Sequence, residues 1–243
     1  MAIRNWQEEL EKRVAFIKKT AANAGATGIV YGNSGGKDSA LVGILCKTAV
    51  PDTVGIIMPI STRNFSVDKA DGTEVAEKFG IGVREVSLAE VKDKFLADLA
   101  AVTDVSAMAN ANMSARLRMI TLYAVAASEN RLVAGTGNRS EAYMGYFTKW
   151  GDGAHDFNPI GDLTVTEIYE FLAYLGAPEA VIKKAPSAAL FDGQTDESEM
   201  GITYAEIDEY LLNGKVTPEN KALIERFHAV SEHKRNLPIG FAE

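Results

Sequence analysis

The chain's 243 residues are 47% hydrophobic and 24% charged, which supplies apolar surface for a sizeable core and excludes a disordered protein. The formal net charge of −8 argues against a general nucleic-acid-binding protein, because such proteins neutralise phosphates with lysine and arginine. The single cysteine, Cys46, excludes an internal disulfide and fits a reducing compartment. The amino terminus lacks a signal-peptide pattern and no apolar run approaches membrane-spanning length, so we expect a soluble, cytoplasmic protein.

The first half of the chain alternates helix and strand patterns. Apolar residues at helical spacing predict an amphipathic helix from about Asn5 to Ala22, which Gly25 ends. Apolar runs then predict strands at 28–31, 54–60 and 83–88, and helices are predicted after them at about 39–48, 67–79 and 88–99. Because strands and helices alternate, we predict a parallel sheet with right-handed crossovers.

The second half continues with a long helix, a strand, a loop and shorter helices. The long helix, from about 108 to 129, has a predicted apolar stripe of Met113, Leu117, Ile120, Ala124 and Ala127. A strand at 131–136 follows, and the glycine- and aromatic-rich segment 143–159 predicts a functional loop. Helices are predicted near 165–175, 204–212 and 218–229. The predicted fold class is α/β, a single domain over residues 1–243 with a doubly wound parallel sheet of about five strands flanked by helices.

A glycine-rich turn, G-N-S-G-G-K-D-S from Gly32 to Ser39, joins the first strand to the next helix. Adjacent glycines let backbone N–H groups approach a ligand, and the helix start adds unpaired N–H groups, an arrangement that binds phosphate. Asp38 adds a hard oxygen ligand for Mg²⁺, and Ser34 adds a hydroxyl donor. The turn is neither a Walker A loop nor G-x-G-x-x-G. It resembles the signature of the ATP pyrophosphatases, which cleave ATP between its α- and β-phosphates.

The carboxyl end of the strand at 131–136 delivers further polar residues, Thr136, Asn138 and Glu141. In open parallel sheets the ligand crevice lies outside the carboxyl ends of the strands. We therefore expect Ser34 and Thr136 to meet at one edge of the sheet.

Six ordered blocks extend the resemblance to the ammonia-dependent NAD⁺ synthetases over nearly the whole chain, and the tail S-E-H-K-R also fits. The blocks are S-G-G-K-D-S, N-M-S-A-R-L-R-M (112–119), G-T-G-N-R-S-E (135–141), G-Y-F-T-K-W-G-D-G (145–153), P-S-A-A-L (186–190) and G-Q-T-D-E-S-E-M-G (193–201). The resemblance implies NAD⁺ synthesis in two steps. The nicotinate carboxylate of deamido-NAD attacks the α-phosphorus of ATP and releases pyrophosphate; ammonia then attacks the acyl adenylate and releases AMP.

The resemblance also implies roles for individual residues. The ATP site would comprise Gly32, Asn33, Ser34, Gly35, Gly36, Lys37, Asp38, Ser39, Thr136 and Ser187. Mg²⁺, the implied cofactor, would be held by Asp38 and Glu141. Deamido-NAD would contact Asn112, Arg116, Lys149, Asp156, His233 and Lys234. Catalysis would involve Asp38, Glu141, Lys149, Asp152 and Asp156.

Partners and domain content follow from the same resemblance. It implies a homodimer with the dinucleotide bound across the interface, and the helix near 112–129 is our choice for part of that interface or else internal core. No glutaminase domain is expected, since the only cysteine, Cys46, lies in a helix of the nucleotide fold and is expected to be buried. Ammonia would therefore come free or from a separate partner. We expect no nucleic-acid or membrane partner.

Three positions depart from the family's pattern or vary within it. Val165 stands where the family usually has a phosphate-contacting lysine, and it begins an apolar stripe; Arg139 or Lys183 would be a substitute cation. His155 stands where a small residue is common. Lys37 lies at a variable position, and its side chain is expected to face solvent.

Two other functions remain open from the sequence. The first is a different ATP pyrophosphatase that modifies tRNA or amidates a purine, although a tRNA substrate would bring a basic region and the net charge is −8. The second is a non-catalytic adenine-nucleotide-binding module. Such a binder does not need the two carboxylates, Asp38 and Glu141, beside the phosphates.

Overall fold

A computed structural model describes residues 4–60, 65–183 and 196–241. The elements in chain order are α1 (Trp6–Ala24), β1 (Gly28–Gly32), α2 (Lys37–Ala49), β2 (Thr53–Ile57), α3 (Phe65–Phe79), β3 (Gly82–Glu85), α4 (Ala89–Ala100), α5 (Ala107–Glu129), β4 (Arg131–Val133), α6 (Arg139–Met144), α7 (Val165–Tyr174), α8 (Glu179–Lys183), α9 (Asp196–Met200), α10 (Tyr204–Asn213), α11 (Pro218–Val230) and α12 (Glu232–Arg235). The helices and strands predicted from the sequence are all present, with shifts of a few residues at their ends.

The sheet is parallel, with strand order β3-β2-β1-β4. Val30 of β1 pairs with Val54 of β2 on one side and with Val133 of β4 on the other. The described residues form four strands rather than about five. Beyond β4 the described residues continue the parallel pairing only through a single bridge between Ala134 and Phe157.

Helices cover both faces of the sheet, as a doubly wound fold requires. Side chains alternate along β1: Ile29 and Tyr31 lie in the core beneath α1, α2 and α7, whereas Val30 lies in the core beneath α5. A third core joins α6, α7, α10 and α11 at the end of the molecule that carries the site, through Met144, Val165, Ile207 and Ile224. The α/β fold class predicted from the sequence is confirmed.

Local signals explain the ends of α1 and α2. Asn5 caps α1 by accepting hydrogen bonds from the N–H groups of Gln7 and Glu8, and Gly25 ends it in the left-handed region at φ 63°. The helix α2 begins at Lys37, two residues before the predicted start, so the glycine turn is shorter than expected.

The second half of the predicted α5 stripe is exposed, so it does not form internal core, one of the two alternatives that the sequence left open. Ile120 is 57% exposed, and Ala124 and Ala127 are also exposed. The covered side runs instead through Met113, Leu117, Leu122, Val125 and Ala126. Apolar residues occur on every side of this helix, so their spacing does not select the buried face.

Cys46 is fully buried in the core beneath α1 and α2, as expected, and burial raises the pKa of its thiol.

Among the described residues, no helix combines the length and the apolar character needed to cross a membrane.

Candidate functional site

The glycine turn lies at the carboxyl edge of the sheet, between β1 and α2. Asn33 is buried, and its side chain fixes the turn: Nδ2 donates to the carbonyl of Gly72 over 3.1 Å, and Oδ1 accepts from the N–H of Gly35 over 3.3 Å. Gly35 has φ 73°, which a side chain would strain. The helix α2 begins after Gly36 without a side-chain cap. Its first N–H groups and its dipole are therefore available to an anion.

Two serines complete the turn. Ser34 Oγ accepts from the N–H of Gly36 over 3.3 Å and lies 3.1 Å from Ser39 Oγ, which in turn donates to the carbonyl of Gly36 over 2.9 Å. Val30 pairs with Val133, so Ser34 and Thr136 follow neighbouring strands at the same edge, as predicted. The predicted phosphate-binding residues 32–39 and Thr136 therefore follow the ends of two paired strands, β1 and β4. Ser187 and the block 186–190 lie outside the described residues.

A compact group of charges lies at the start of α2. Lys37 Nζ is 2.7 Å from Asp38 Oδ2 and 4.0 Å from Glu141 Oε1. The expectation that Lys37 faces solvent is wrong, because its side chain is only 7% exposed. Burial disfavours its charged form, but the carboxylates of Asp38 and Glu141 outweigh that effect and raise the pKa of Lys37. Burial raises the pKa of Glu141 above its usual range, and the charge of Asp38 adds to the shift.

Asn138, which the sequence places among the polar residues after β4 without an assigned role, joins the two carboxylates. It is fully buried and caps α6: its Oδ1 accepts from the N–H of Glu141 over 2.9 Å, and Glu141 Oε2 accepts from its N–H over 3.3 Å. Its Nδ2 donates to Asp38 Oδ1 over 3.1 Å. The sequence N-R-S-E carries the capping-box pattern, and this signal also predicts the short helix α6.

Asp208 holds α6 in place through a hydrogen bond to Ser140. This buried carboxylate accepts from the Ser140 hydroxyl over 2.5 Å and from both the N–H and the hydroxyl of Thr166 over 2.7 Å. The carboxylate also lies at the start of α7, where the helix dipole favours a negative charge. Because its partners are 42 and 68 residues away, no local pattern indicates this role.

Asp38 and Glu141 fit the hard oxygen ligands that Mg²⁺ takes. No group of three or more His, Cys, Asp or Glu side chains is placed to hold a metal within the described ranges 4–60, 65–183 and 196–241. Mg²⁺ is usually bound through one or two carboxylates together with substrate phosphates and water. Two carboxylates beside a phosphate-binding turn meet that requirement.

A second group of predicted residues surrounds the loop between α6 and the Phe157 bridge. Asn112 and Arg116, one turn apart on α5, both reach this loop: Thr148 Oγ1 donates to Asn112 Oδ1 over 2.7 Å, and Arg116 donates to the carbonyl of Lys149 over 3.2 Å. Asp152 accepts from the N–H of Thr148 over 2.9 Å. These predicted substrate residues therefore lie in one cluster.

The tail and this loop are joined by lysine side chains that donate to backbone carbonyls in both directions. Lys149 Nζ donates to the carbonyls of His233 and Asn236, and Lys234 Nζ donates to the carbonyls of Gly145 and Phe147 over 2.8 Å each. Arg235, which was not predicted to matter, donates to the carbonyls of Ala142, Tyr143 and His228 and to Ser231 Oγ. Cations thus collect at the carboxyl end of α6, where the helix dipole is negative.

Asp156 and His155 follow the loop and lie against the end of β4. Asp156 accepts from the N–H of Val133 over 2.7 Å and from the Tyr123 hydroxyl over 3.3 Å. The His155 ring covers Gly135, where a Cβ would lie 2.5 Å from its Cγ. Its Nδ1 is buried without a partner among the described residues, and burial lowers the pKa of His155 against the opposing charge of Asp156.

A phosphate-binding turn, an uncapped helix start and two carboxylates at the carboxyl edge of a parallel sheet define a nucleotide-binding α/β protein. Comparison with known proteins agrees with this class. The family model described as NAD synthase matches residues 9–238. The chain is 46% identical to the NH(3)-dependent NAD(+) synthetase of Carboxydothermus hydrogenoformans, over 96% of this chain and 97% of that protein.

Solved structures give the same result. The structure of NMN synthetase from Francisella tularensis superposes with a TM-score of 0.92 at 40% identity, covering 98% of this chain and 99% of that one. NH3-dependent NAD synthetase from Campylobacter jejuni superposes with a TM-score of 0.82 at 31% identity, covering 99% and 100%. The chain therefore belongs to the NAD synthase family. The family predicted from the sequence is confirmed, and with it the enzyme class, a ligase.

Proposed function

We propose that this enzyme makes NAD⁺ in the cytoplasm by ATP-dependent amidation of deamido-NAD with ammonia, releasing AMP and pyrophosphate. The observation that carries the proposal is the joining of Asp38 and Glu141 through Asn138 beside the phosphate-binding turn. A protein that merely binds adenine nucleotides has no need of this pair. The curated relatives, named NH(3)-dependent NAD(+) synthetases, support the choice of substrate and of ammonia.

The chemistry requires activation of the nicotinate carboxylate, which is a poor acyl donor because its oxygen is a poor leaving group. A nicotinate carboxylate oxygen attacks the α-phosphorus of ATP, and the bond to the β-phosphate oxygen breaks. Ammonia then attacks the acyl carbon, and the carboxylate oxygen leaves with AMP. The protein contributes mainly position and charge: the N–H groups at the start of α2 bind the phosphates, while Ser34 and Ser39 supply hydroxyl donors.

Asp38 and Glu141 would hold Mg²⁺ against the phosphate oxygens. When bound, the ion neutralises charge on the departing pyrophosphate. Asn138 orients both carboxylates, and Asp208 fixes the helix that carries Glu141 through its bond to Ser140.

The nicotinate half of the substrate, which donates the acyl group, would lie on the cluster formed by α5 and the loop 145–153. Asn112, Arg116, Lys149 and Asp156 would contact deamido-NAD there, and Asp152 would hold the loop through its bond to the N–H of Thr148. His233 and Lys234 lie at the far side of the same loop. Their backbone contacts support a role in holding the loop in place for the substrate.

A second candidate substrate is favoured by one comparison. The Francisella tularensis protein, an NMN synthetase, superposes with a TM-score of 0.92, whereas the Campylobacter jejuni NAD synthetase superposes with 0.82. The corresponding reaction here would amidate nicotinate mononucleotide in place of deamido-NAD. Both substrates present the same nicotinate carboxylate, so the chemistry and the ATP site would be shared.

The experiment is a turnover assay with purified protein, ATP, Mg²⁺ and ammonium, with deamido-NAD or nicotinate mononucleotide supplied separately and then together. NAD⁺ formed from deamido-NAD, with a kcat/KM above that for the mononucleotide, is the expected result. The opposite ratio would assign the enzyme to the mononucleotide. Glutamine replacing ammonium should give no amide.

We also propose that the enzyme is a homodimer formed through a groove between α4 and α5. This mostly apolar groove has a volume of about 980 Å³ and is lined by Val91, Phe95 and Leu99 of α4 and by Met113 and Ile120 of α5, among others. Val91, Phe95 and Ile120 are 53%, 49% and 57% exposed. Large exposed apolar patches are typical of interaction surfaces. Arg116 lies at the edge of this groove, which would place the interface beside the substrate cluster.

A further inference from the structure

Lys37 has an unusual place for a lysine in a phosphate-binding turn. Its side chain is 7% exposed, and its Nζ lies 2.7 Å from Asp38 Oδ2 and 4.0 Å from Glu141 Oε1. The ring of Tyr204, itself buried, closes the site, with its centroid 5.8 Å from Nζ. The ammonium group therefore lies against the two carboxylates that fit Mg²⁺.

Among the residues that the structure describes, Lys37 is the main cationic partner of these carboxylates. Asp38 Oδ1 accepts from the neutral amide of Asn138, and Glu141 Oε2 accepts from the backbone of Asn138. The oxygens that face Lys37 are Asp38 Oδ2 and Glu141 Oε1. Two carboxylates this close repel each other at low dielectric unless a cation lies between them.

We propose that Lys37 is an internal counter-cation that competes with Mg²⁺ for Asp38 and Glu141, so that the metal binds strongly only together with the phosphates of ATP. The inference rests on the proposed function for one point, the assignment of Asp38 and Glu141 as metal ligands. Mg²⁺ bonds to oxygen at about 2.0–2.1 Å, so a metal on Asp38 Oδ2 would come close to the ammonium and be repelled by it.

The phosphates of ATP resolve this competition. Their oxygens offer the ammonium group new partners within the same turn, because the start of α2 directs phosphate toward Lys37 and Asp38. Lys37 can then turn from the carboxylates to a phosphate oxygen, as lysines in other phosphate-binding loops do. The metal and the nucleotide would therefore bind cooperatively, each favouring the other.

The test measures Mn²⁺ binding, by electron paramagnetic resonance, to the full-length protein without nucleotide. Lys37→Met removes the charge at similar length, and Lys37→Arg is the matched control that keeps it. We expect Lys37→Met to bind Mn²⁺ at least about tenfold more tightly than the wild type, because one nearby positive charge is gone. Lys37→Arg should stay close to the wild type. Adding Asp38→Asn to Lys37→Met should abolish the gain, which locates the metal.

A second readout is thermal unfolding with EDTA and with Mn²⁺. Lys37→Met should melt below the wild type in EDTA and recover when Mn²⁺ is added, because the metal replaces the lost cation. If Lys37→Met does not fold in EDTA, Lys37→Gln takes its place in both measurements. Equal or weaker Mn²⁺ binding by the charge-removed variant overturns the inference.

Failure of this inference and failure of the proposed function are distinguishable. If the wild type makes NAD⁺ while Lys37→Met shows no gain in Mn²⁺ affinity, the inference is wrong and the function stands. If tight Mn²⁺ binding survives Asp38→Asn in the Lys37→Met background, the metal lies elsewhere and both the inference and the metal assignment are wrong.

Discussion

The side-chain amide of Asn138 donates to Asp38 Oδ1 over 3.1 Å across 100 residues of sequence. The same side chain caps α6 through the N–H of Glu141. One fully buried amide therefore sets the position of both carboxylates that we assign to Mg²⁺. The turn after β1 and the turn after β4 are held together by this bond, so the two halves of the site are built as a unit.

Substitution of Asn138 should separate capping from positioning. Asn138→Ala loses both bonds, and we expect it to cost about 1–2 kcal/mol of stability and to lower kcat/KM for ATP. Asn138→Ser keeps a capping hydroxyl but is too short to reach Asp38, so it should retain most of the stability while kcat/KM still falls. Urea unfolding and steady-state kinetics on both variants check this. Unchanged kinetics in Asn138→Ser would show that the bond to Asp38 does not matter.

Gly135 and His155 should be strongly coupled. A Cβ at Gly135 would lie 2.5 Å from Cγ of His155, so Gly135→Ala should cost about 1–3 kcal/mol by overpacking. His155→Ala removes the ring, and the double variant should recover most of that loss. A double-mutant cycle of unfolding free energies measures the coupling. If the losses of unfolding free energy in the two single variants simply add in the double variant, the His155 ring moves away from Gly135 without cost.

The pH dependence of stability should contain a contribution from His155. Burial lowers the pKa of this residue in the folded protein, so the unfolded chain binds a proton more readily. As pH falls through about 6.5, the usual pKa of histidine, the wild type should lose stability until the lower folded pKa is reached. His155→Ala removes this term and should lose less between pH 7.5 and pH 5.5. Equal losses in the two proteins would contradict the buried neutral ring.

The groove between α4 and α5 should control the oligomeric state. Phe95→Asp and Ile120→Asp each place a charge in the apolar groove, and we expect both to convert the proposed dimer to a monomer in light scattering after gel filtration. Val230→Asp is the matched control, because Val230 is 68% exposed on α11, away from the groove. Dissociation by the control alone would place the interface elsewhere.

Much of the fold follows from local patterns in the sequence. Asn5 and Gly25 mark the ends of α1, and short apolar runs mark the buried strands β1 and β2. The predicted number of strands, about five, exceeds the four that the described residues form, and the pairing beyond β4 is a single bridge at Phe157. The spacing of apolar residues does not decide which side of α5 is buried, because apolar residues occur on all sides of this helix.

The motif blocks predict residues for the site, but they do not predict how those residues are connected. The motif blocks identified Asp38 and Glu141, whereas the bond between Asn138 and Asp38 depends on two turns meeting in the folded chain. The burial of Lys37 is likewise tertiary, since Tyr204 and Glu141 cover it from distant segments. The ligand roles of Lys149, His233 and Lys234 stay predictions; in the structure these residues hold a loop through backbone carbonyls.

Val165 stands where the family usually has a phosphate-contacting lysine, so another cation would have to take that role. Val165 is 3% exposed and packs in the third core, which explains an apolar residue there. Neither of the two cations proposed to replace that lysine contacts the phosphate-binding turn in the described residues. Arg139 donates to the carbonyl of Leu211, and Lys183 pairs with Glu179 at the surface. Lys37 is the cation that the described residues place beside Asp38 and Glu141.

Isotope transfer tests the central claim most directly. Deamido-NAD labelled with ¹⁸O in its nicotinate carboxylate is converted with ATP, Mg²⁺ and ammonium, and the products are analysed by mass spectrometry. Adenylation of the carboxylate transfers one labelled oxygen to AMP, and we predict AMP that carries one ¹⁸O together with unlabelled pyrophosphate. If ¹⁸O appears in pyrophosphate or free phosphate, or if NAD⁺ forms while AMP stays unlabelled, the acyl-adenylate account is contradicted.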